Sequence, residues 1–379
     1  MKKAGFWPLA AAFAAIVVLP AALGTPAGYA RELEERAMVR AMGVDAAGED
    51  FTLSMALDGG RGALPAEGDT LLTGTDTLLG RTALEIQTQT DKNIFYGSIG
   101  QYLIGERAAA EQFSDILGYL AADQDLRLGT KLYVVRAGTA GEAMAAMAAA
   151  GESVSDRLED MGKNEGLGAF GTAWSLREVL GQLDRSGAAL SAAVQYGEES
   201  GRPALEAAGY AILGEDGLLG YLTGDAACGA NLLLGKTERD SVAVTTAGGA
   251  TAGLLVTAAS TKVEPEFDAA GGLVRLRLVV DVEASLQEMR GGGDPAAEET
   301  VGELEILLAE TERARCEAVV ALSQLYEADF LELGTKLSLA SPLRGGALRG
   351  SWRTVFPDAR IDVEVEAHVR RAAGAGAEA

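Results

Sequence analysis

Apolar and polar residues alternate without a break from Ile361 to Arg370, in the run Ile-Asp-Val-Glu-Val-Glu-Ala-His-Val-Arg. A period of two puts alternate side chains on opposite faces of a strand, one buried and one wet. Ahead of it, residues 298 to about 326 are good helix formers, with no Pro and with Gly302 as the one glycine. Val301, Leu304, Leu308, Cys316, Val319, Leu322 and Tyr326 fall on or near one helical face, while Glu303, Glu310, Glu312 and Arg313 fall largely off it. A helix of about 30 residues is about 45 Å long, enough to cross a domain. Neither element can hide its apolar side alone, so the pattern predicts that helix and strand cover one another in a helix-on-sheet domain.

The same reading from Arg31 onward gives mixed elements. Residues 37–45 and the alternating Phe51, Leu53, Met55 and Leu57 predict a hairpin turning at 47–50. Residues 58–74 read as a loop, 75 to about 90 as a helix, 94–104 as one strand and 106–122 as a helix. A strand over 131–135 and an Ala/Met helix over 141–150 follow, and then a polar stretch to 190 that is helical in patches, clearest at 176–183. The charged, breaker-rich residues 197–203 mark the expected domain boundary. Beyond it the pattern turns to strands: a hairpin of 208–213 and 218–222, then 241–246, 254–263 and 273–282. Asp294 and Pro295 stand where a cap and first turn of the long helix belong. The expected fold is α+β, with two or three domains of mixed sheets flanked by helices. An N-terminal domain covers 31–196; a C-terminal domain covers 204–373, its long helix packed on an antiparallel-rich sheet.

Charge and the N-terminus narrow the function. A net charge of −23 over 379 residues argues against a nucleic-acid partner, because holding phosphate needs clustered Lys and Arg. It also disfavours adsorption to anionic lipid by charge alone. Lys2 and Lys3 precede an apolar run over 6–23, and small residues at Gly28 and Ala30 follow, which describes an export signal cut after Ala30. The run is nearly long enough to be an uncleaved anchor; Pro8, Pro20 and its alanine content favour export. On either reading the remaining chain sits outside the cytoplasm. For Cys228 and Cys316 the spacing leaves a disulfide and two buried thiols both open, and Cys316 on the helix stripe fits a buried thiol.

Candidate chemistry is thin. Gly166, Gly168 and Gly171 match the spacing of a dinucleotide-binding loop, but the polar residues 159–165 ahead of them are not a buried strand. With 49 glycines in the chain such a match arises cheaply. Residues 229–237 resemble a phosphate loop with one residue too many and three leucines where the backbone must wrap phosphate, so a turn into a strand is expected there. His368 is the one histidine, which leaves it without a partner for a two-histidine metal cluster or relay; by alternation it faces solvent on the last strand. Carboxylate pairs such as Glu159/Asp160 and Glu364/Glu366 suit a surface, and the stacking aromatics of a two-carboxylate glycosidase are few. No catalytic, cofactor-binding or metal-ligating set stands out, and no enzyme is expected.

Several stretches, taken in order, are similar to the C-subunit family of spore nutrient-germinant receptors, the Ger(x)C germination lipoproteins. They are the start at Arg31-Glu32 with Gly43 and Asp45, then Phe95-Tyr96-Gly97, and Gly105-Glu106 ahead of a helix. The strand and turn with Gly217 and Gly220, then Asp329 to Gly334, and finally Trp352 and Phe356 complete the series. The resemblance spans nearly all of the chain beyond the leader. It departs twice: the family's lipid-bearing cysteine is absent near Ala27, and Ser98 stands where the family has a histidine. The resemblance implies a non-enzymatic receptor subunit without cofactor, at the outer face of the spore inner membrane, working with the membrane-embedded A and B subunits. The alternatives are an exported glycan hydrolase using two carboxylates and a secreted binding protein.

Overall fold

The computed structural model describes residues 36–58, 69–199, 202–292, 294–295 and 297–370, so the leader, Arg31 and Glu32 lie outside the described residues. β1 (Arg36–Ala47) reverses at Gly48, whose φ of +73° suits glycine, into the antiparallel β2 (Asp50–Leu57). This is the expected hairpin. β3 (Thr70–Asp76) then pairs with β2, where a loop was expected. Its sequence lacks a period of two, and pairing with β2 holds it; at Gly74 a Cβ would meet Ile86 at 3.0 Å, so α1 (Leu79–Gln87) lies directly on it.

The expected single strand over 94–104 is two: β4 (Asn93–Phe95) and β5 (Gln101–Gly105), separated by a tight helical turn at Tyr96–Ser98, both parallel to β1. The next helix is also split, into α2 (Glu106–Glu111) and α3 (Phe113–Ala122). Gln112 leaves helical geometry between them, and its amide donates to the Glu49 and Asp50 carbonyls at 3.3 and 3.4 Å. β6 (Lys131–Arg136), α4 (Ala140–Ala149), α5 (Val154–Gly162) and α6 (Leu176–Ser186) follow. Ser175 and Glu178 close a reciprocal capping box at the start of α6.

β7 (Ala188–Glu199) and β8 (Arg202–Gly214) form a long antiparallel hairpin, and β9 (Leu218–Leu222) pairs with β8. Residues 197–199 and 202–203 of the breaker-rich stretch thus belong to the paired ends of β7 and β8, inside the larger sheet, whose order is β3-β2-β1-β5-β6-β7-β8-β9 with β4 beside β1. α1, α3 and α6 bury Ile86, Phe113, Ile116 and Val179 against one face of this sheet. α4 and α5 bury Met144, Met147 and Leu158 against the other.

α7 (Asp225–Leu234) occupies the residues expected to turn into a strand. The three leucines there are the end of a buried helix. β10 (Asp240–Thr245), β11 (Thr251–Phe267), β12 (Leu273–Arg290) and the final β13 (Ile361–Arg370) make the second sheet, in that order. β10, β11 and β12 are antiparallel, and β13 joins β12 in parallel. The long helix α8 (Glu298–Leu325) connects β12 to α9 (Leu333–Ala340), α10 (Arg344–Leu348) and α11 (Trp352–Val355). Its cap residue is Ala297 rather than Asp294, and the Asp294 carbonyl accepts the Ala297 N–H at 3.0 Å.

α8 and β13 cover one another. Leu304, Leu308, Cys316 and Val319 share a core with Val363, Ala367 and Val369, and each buried Leu or Val among them contributes about 1.5–3 kcal/mol. The Val369 N–H donates to Glu305 at 3.0 Å, and the Gln324 amide donates to the Phe356 and Ala359 carbonyls at 3.1 and 2.8 Å. Glu312 was expected off this face and is fully buried in it. The same core takes in Ala188, Tyr210, Ile212 and Leu222 of the larger sheet, so β7 to β9 serve both sheets.

Candidate functional site

The residues singled out by resemblance collect in two buried knots and one cleft. In the first knot, β1 carries Asp45 to the start of α4. Its carboxylate accepts the N–H groups of Ala140 and Gly141, each at 2.7 Å. Those are unpaired donors at a positive helix end, which suits an anion. Burial raises the Asp45 pKa and the two backbone hydrogen bonds oppose it. Gly105 must be a glycine here, since a Cβ would stand 2.0 Å from Asp45 Oδ1. At Gly43 a Cβ would meet Met144 Sδ at 2.7 Å, so α4 rests on the bare backbone of β1.

Glu106 extends the knot. Its Oε2 accepts the Ala137 N–H at 2.6 Å and the Tyr221 hydroxyl at 2.8 Å, while the Arg136 guanidinium lies 5.4 Å from the Tyr221 ring centre. Burial and the Glu106 carboxylate raise the Tyr221 pKa, so the phenol stays a donor. Gly217 brings the β8–β9 turn onto α2, where a Cβ would be 2.7 Å from the Ala110 carbonyl. Gly220 lies under Tyr326 at the end of α8, with a hypothetical Cβ 2.6 Å from its hydroxyl.

The second knot closes α8. Asp329, only 2% exposed, accepts Leu333 N–H and Gly334 N–H at 2.8 Å each and Trp352 Nε1–H at 2.7 Å. Burial pushes its pKa up to about 6 against these donors. Gly334 packs on the Trp352 ring, where a Cβ would lie 2.3 Å from Cδ1, and Trp352 and Phe356 are 5.7 Å apart between ring centres. Lys336 is half-buried next to this knot; desolvation lowers its pKa, and its ammonium donates to the Leu233 carbonyl at 2.9 Å.

Gly97 stands apart from both knots and lines a cleft of about 650 Å³ between β4 and the helices α1 and α3. Phe95, Tyr96 and Tyr119 supply ring faces, Arg36 and Arg127 positive charge, and Asp123 and Asp125 negative charge. The Arg36 guanidinium lies 5.2 Å from the Phe95 ring centre. Burial, then the nearby Asp123, raises the pKa of Tyr96 and of Tyr119. Ser98 is turned inward and donates to the Val39 carbonyl at 2.8 Å. Among the described residues no serine, cysteine or histidine lines the cleft.

The two glycine-rich stretches meet each other. The Gly166 carbonyl accepts the Glu238 and Arg239 N–H groups at 2.9 and 3.2 Å. The Asn231 amide donates to the Gly168 and Phe170 carbonyls at 2.9 and 3.0 Å and accepts the Tyr210 hydroxyl at 2.6 Å. They are a polar staple between α7 and the loop after α5, built from backbone that a phosphate would need free.

Three features were not legible beforehand. Arg315 lies among Asp225, Asp240 and the buried Glu312, with nitrogen–oxygen distances of 2.6, 2.8 and 3.2 Å. Burial drives Glu312 up to about 7, and Arg315 opposes that shift. Cys228 and Cys316 are both free and buried, which settles their state as thiols, and burial pushes Cys228 up to about 12. His368 is exposed on β13, as the alternation indicates, but the β12–β13 register sets Asp281 and Glu366 next to it.

The arrangement is one of caps, staples and glycine contacts. Comparison with known proteins places it. Residues 29–195 match the family model of the spore germination protein N-terminal domain, and residues 208–373 that of the spore germination B3/GerAC like C-terminal domain. The crystal structure of the GerBC protein shares the fold, with a TM-score of 0.56 at 15% sequence identity, over 86% of this chain and 96% of that one. A search of curated proteins finds no match. Among the described residues no helix is long and apolar enough to cross a membrane. Matched in order over both of its halves, this chain belongs to the Ger(x)C family of spore germination proteins.

Proposed function

We propose that the chain is a non-enzymatic C subunit of a spore nutrient germinant receptor. It acts at the outer face of the spore inner membrane, beside the membrane-embedded A and B subunits. The observation that carries this reading is the ordered match of both halves to the two spore germination models. The geometry supports a scaffold role. Asp45, Glu106 and Asp329 are committed to backbone, tyrosine and tryptophan donors, so the residues that resemble the family's build the fold. We place the two germination-protein domains at 31–196 and 204–373, with β8 and β9 completing the sheet of the first while belonging to the second in sequence.

The exposed faces of the C-terminal sheet and of α8 are the surfaces we assign to partner docking. No cysteine stands near Ala27, so retention rests either on an uncut apolar run over 6–23 or, after a cut at Ala30, on the partner subunits. The test is capture of tagged protein from detergent-solubilised spore membranes, with its N-terminus read by mass spectrometry. Recovery of two polytopic proteins is the expected result. Soluble protein starting at Arg31, with no partners, overturns the proposal.

A further inference from the structure

On the exposed face of the C-terminal sheet, register brings three ligating groups together. β12 and β13 run parallel with Asp281 directly opposite Glu366 and with Glu283 opposite His368. One ligand atom from each of Asp281, Glu366 and His368 lies within 4.8 Å of the others. Asp281 is half-buried, and the other two are exposed.

The charges around them follow a rule that these residues break. On the same face Arg275 joins Glu266 on β11 to Asp362 on β13, at 2.7 and 3.4 Å. Arg277 joins Glu264 to Glu364 in the same way one rung further along. At the far end Arg370 holds Glu283 at 2.6 Å. In the rung between, Asp281 faces Glu366, and neither has an Arg or Lys ion pair among the described residues. Like charges directly opposite across two strands repel. The one histidine of the chain stands at this point and adds a nitrogen donor.

We propose that Asp281, Glu366 and His368 bind a divalent first-row transition cation of the Zn²⁺ class, with solvent completing its coordination. One imidazole with two carboxylates suits Zn²⁺, Co²⁺ or Mn²⁺, whereas Ca²⁺ and Mg²⁺ take oxygen ligands throughout. The cation does in this rung what Arg275 and Arg277 do in theirs: it bridges carboxylates of neighbouring strands. Bound there, it clips the edge strand β13 to β12.

The test is calorimetric titration of the full chain, purified without an affinity tag and freed of metal by chelation, with Zn²⁺ as the probe and excess Mg²⁺ present. One site saturates, and amide exchange in β13 slows when it does. H368A and D281N each weaken binding at least tenfold with unchanged circular dichroism, and E288Q, on the same sheet, leaves it as it was. Absence of saturable binding overturns the proposal. So does binding at several sites that H368A does not affect, or binding that Mg²⁺ displaces, because either describes an acidic surface collecting cations.

Discussion

Asp45 and Asp329 perform the same operation in the two halves of the molecule. Each is buried, and each receives two successive backbone N–H groups at the start of a helix, Ala140 and Gly141 of α4 or Leu333 and Gly334 of α9. Their surroundings differ. Asp45 ends a strand that is already paired with β2, β4 and β5, so the sheet holds its position before the carboxylate does anything. Asp329 stands in the connection between α8 and α9, outside either sheet, and takes a third donor from Trp352 of α11. One carboxylate reinforces a strand; the other organises the chain's route from the long helix back to its last strand. The same capping chemistry is therefore supplementary in the first half and decisive in the second.

Substitutions can break or sharpen this contrast. D329A has the largest expected effect, because it orphans two backbone donors and an indole N–H at a buried position: about 4 kcal/mol of stability, read from urea midpoints. The pH dependence comes next. The Asp329 carboxyl has its pKa raised to about 6 from 3.8, so the folded state binds this proton more tightly than the unfolded chain does. Its contribution to stability therefore grows as pH falls from about 6 towards 4, on the order of 2–3 kcal/mol. A stability profile of wild type minus D329N, taken from pH 7 to 4, shows that rise in favour of wild type.

D45A costs about 2 kcal/mol, since two donors are left and the sheet persists. G105A costs about the same, because a Cβ 2.0 Å from Oδ1 must drive the Asp45 side chain off its donors. The pair D45A/G105A is then clearly less than additive in a double-mutant cycle; full additivity would separate Gly105 from Asp45. Y210F is the mildest, at about 1 kcal/mol, since it removes the hydroxyl that Asn231 accepts and keeps the ring packed.

Much of the frame was visible in the sequence where pattern and environment agree. The period-two run gave β13 with its bounds, and the uninterrupted helix formers gave α8 to within about a residue of its end. β7 escaped because its alanines carry little strand preference, though its central place in the sheet decides its state. α7 was misread because three leucines in a row fit a buried strand or a buried helix equally well. Glu312 was set aside as a surface charge; it lies inward because Arg315, one turn on, turns with it and is shared with Asp225 and Asp240. The Asp45, Gly105 and Glu106 contacts, and the Asp281–Glu366–His368 group, depend on registers between distant strands, which no local pattern encodes.

The central claim is that the residues singled out by resemblance to the germination family hold the fold and take no direct part in signalling. It is tested by measuring, in spores carrying D45N or D329N, the germination rate against the amount of folded, membrane-retained protein. The account predicts that the two fall together, with D329N lower in both. A variant present at the normal level and normally folded, in spores that no longer germinate, would contradict it.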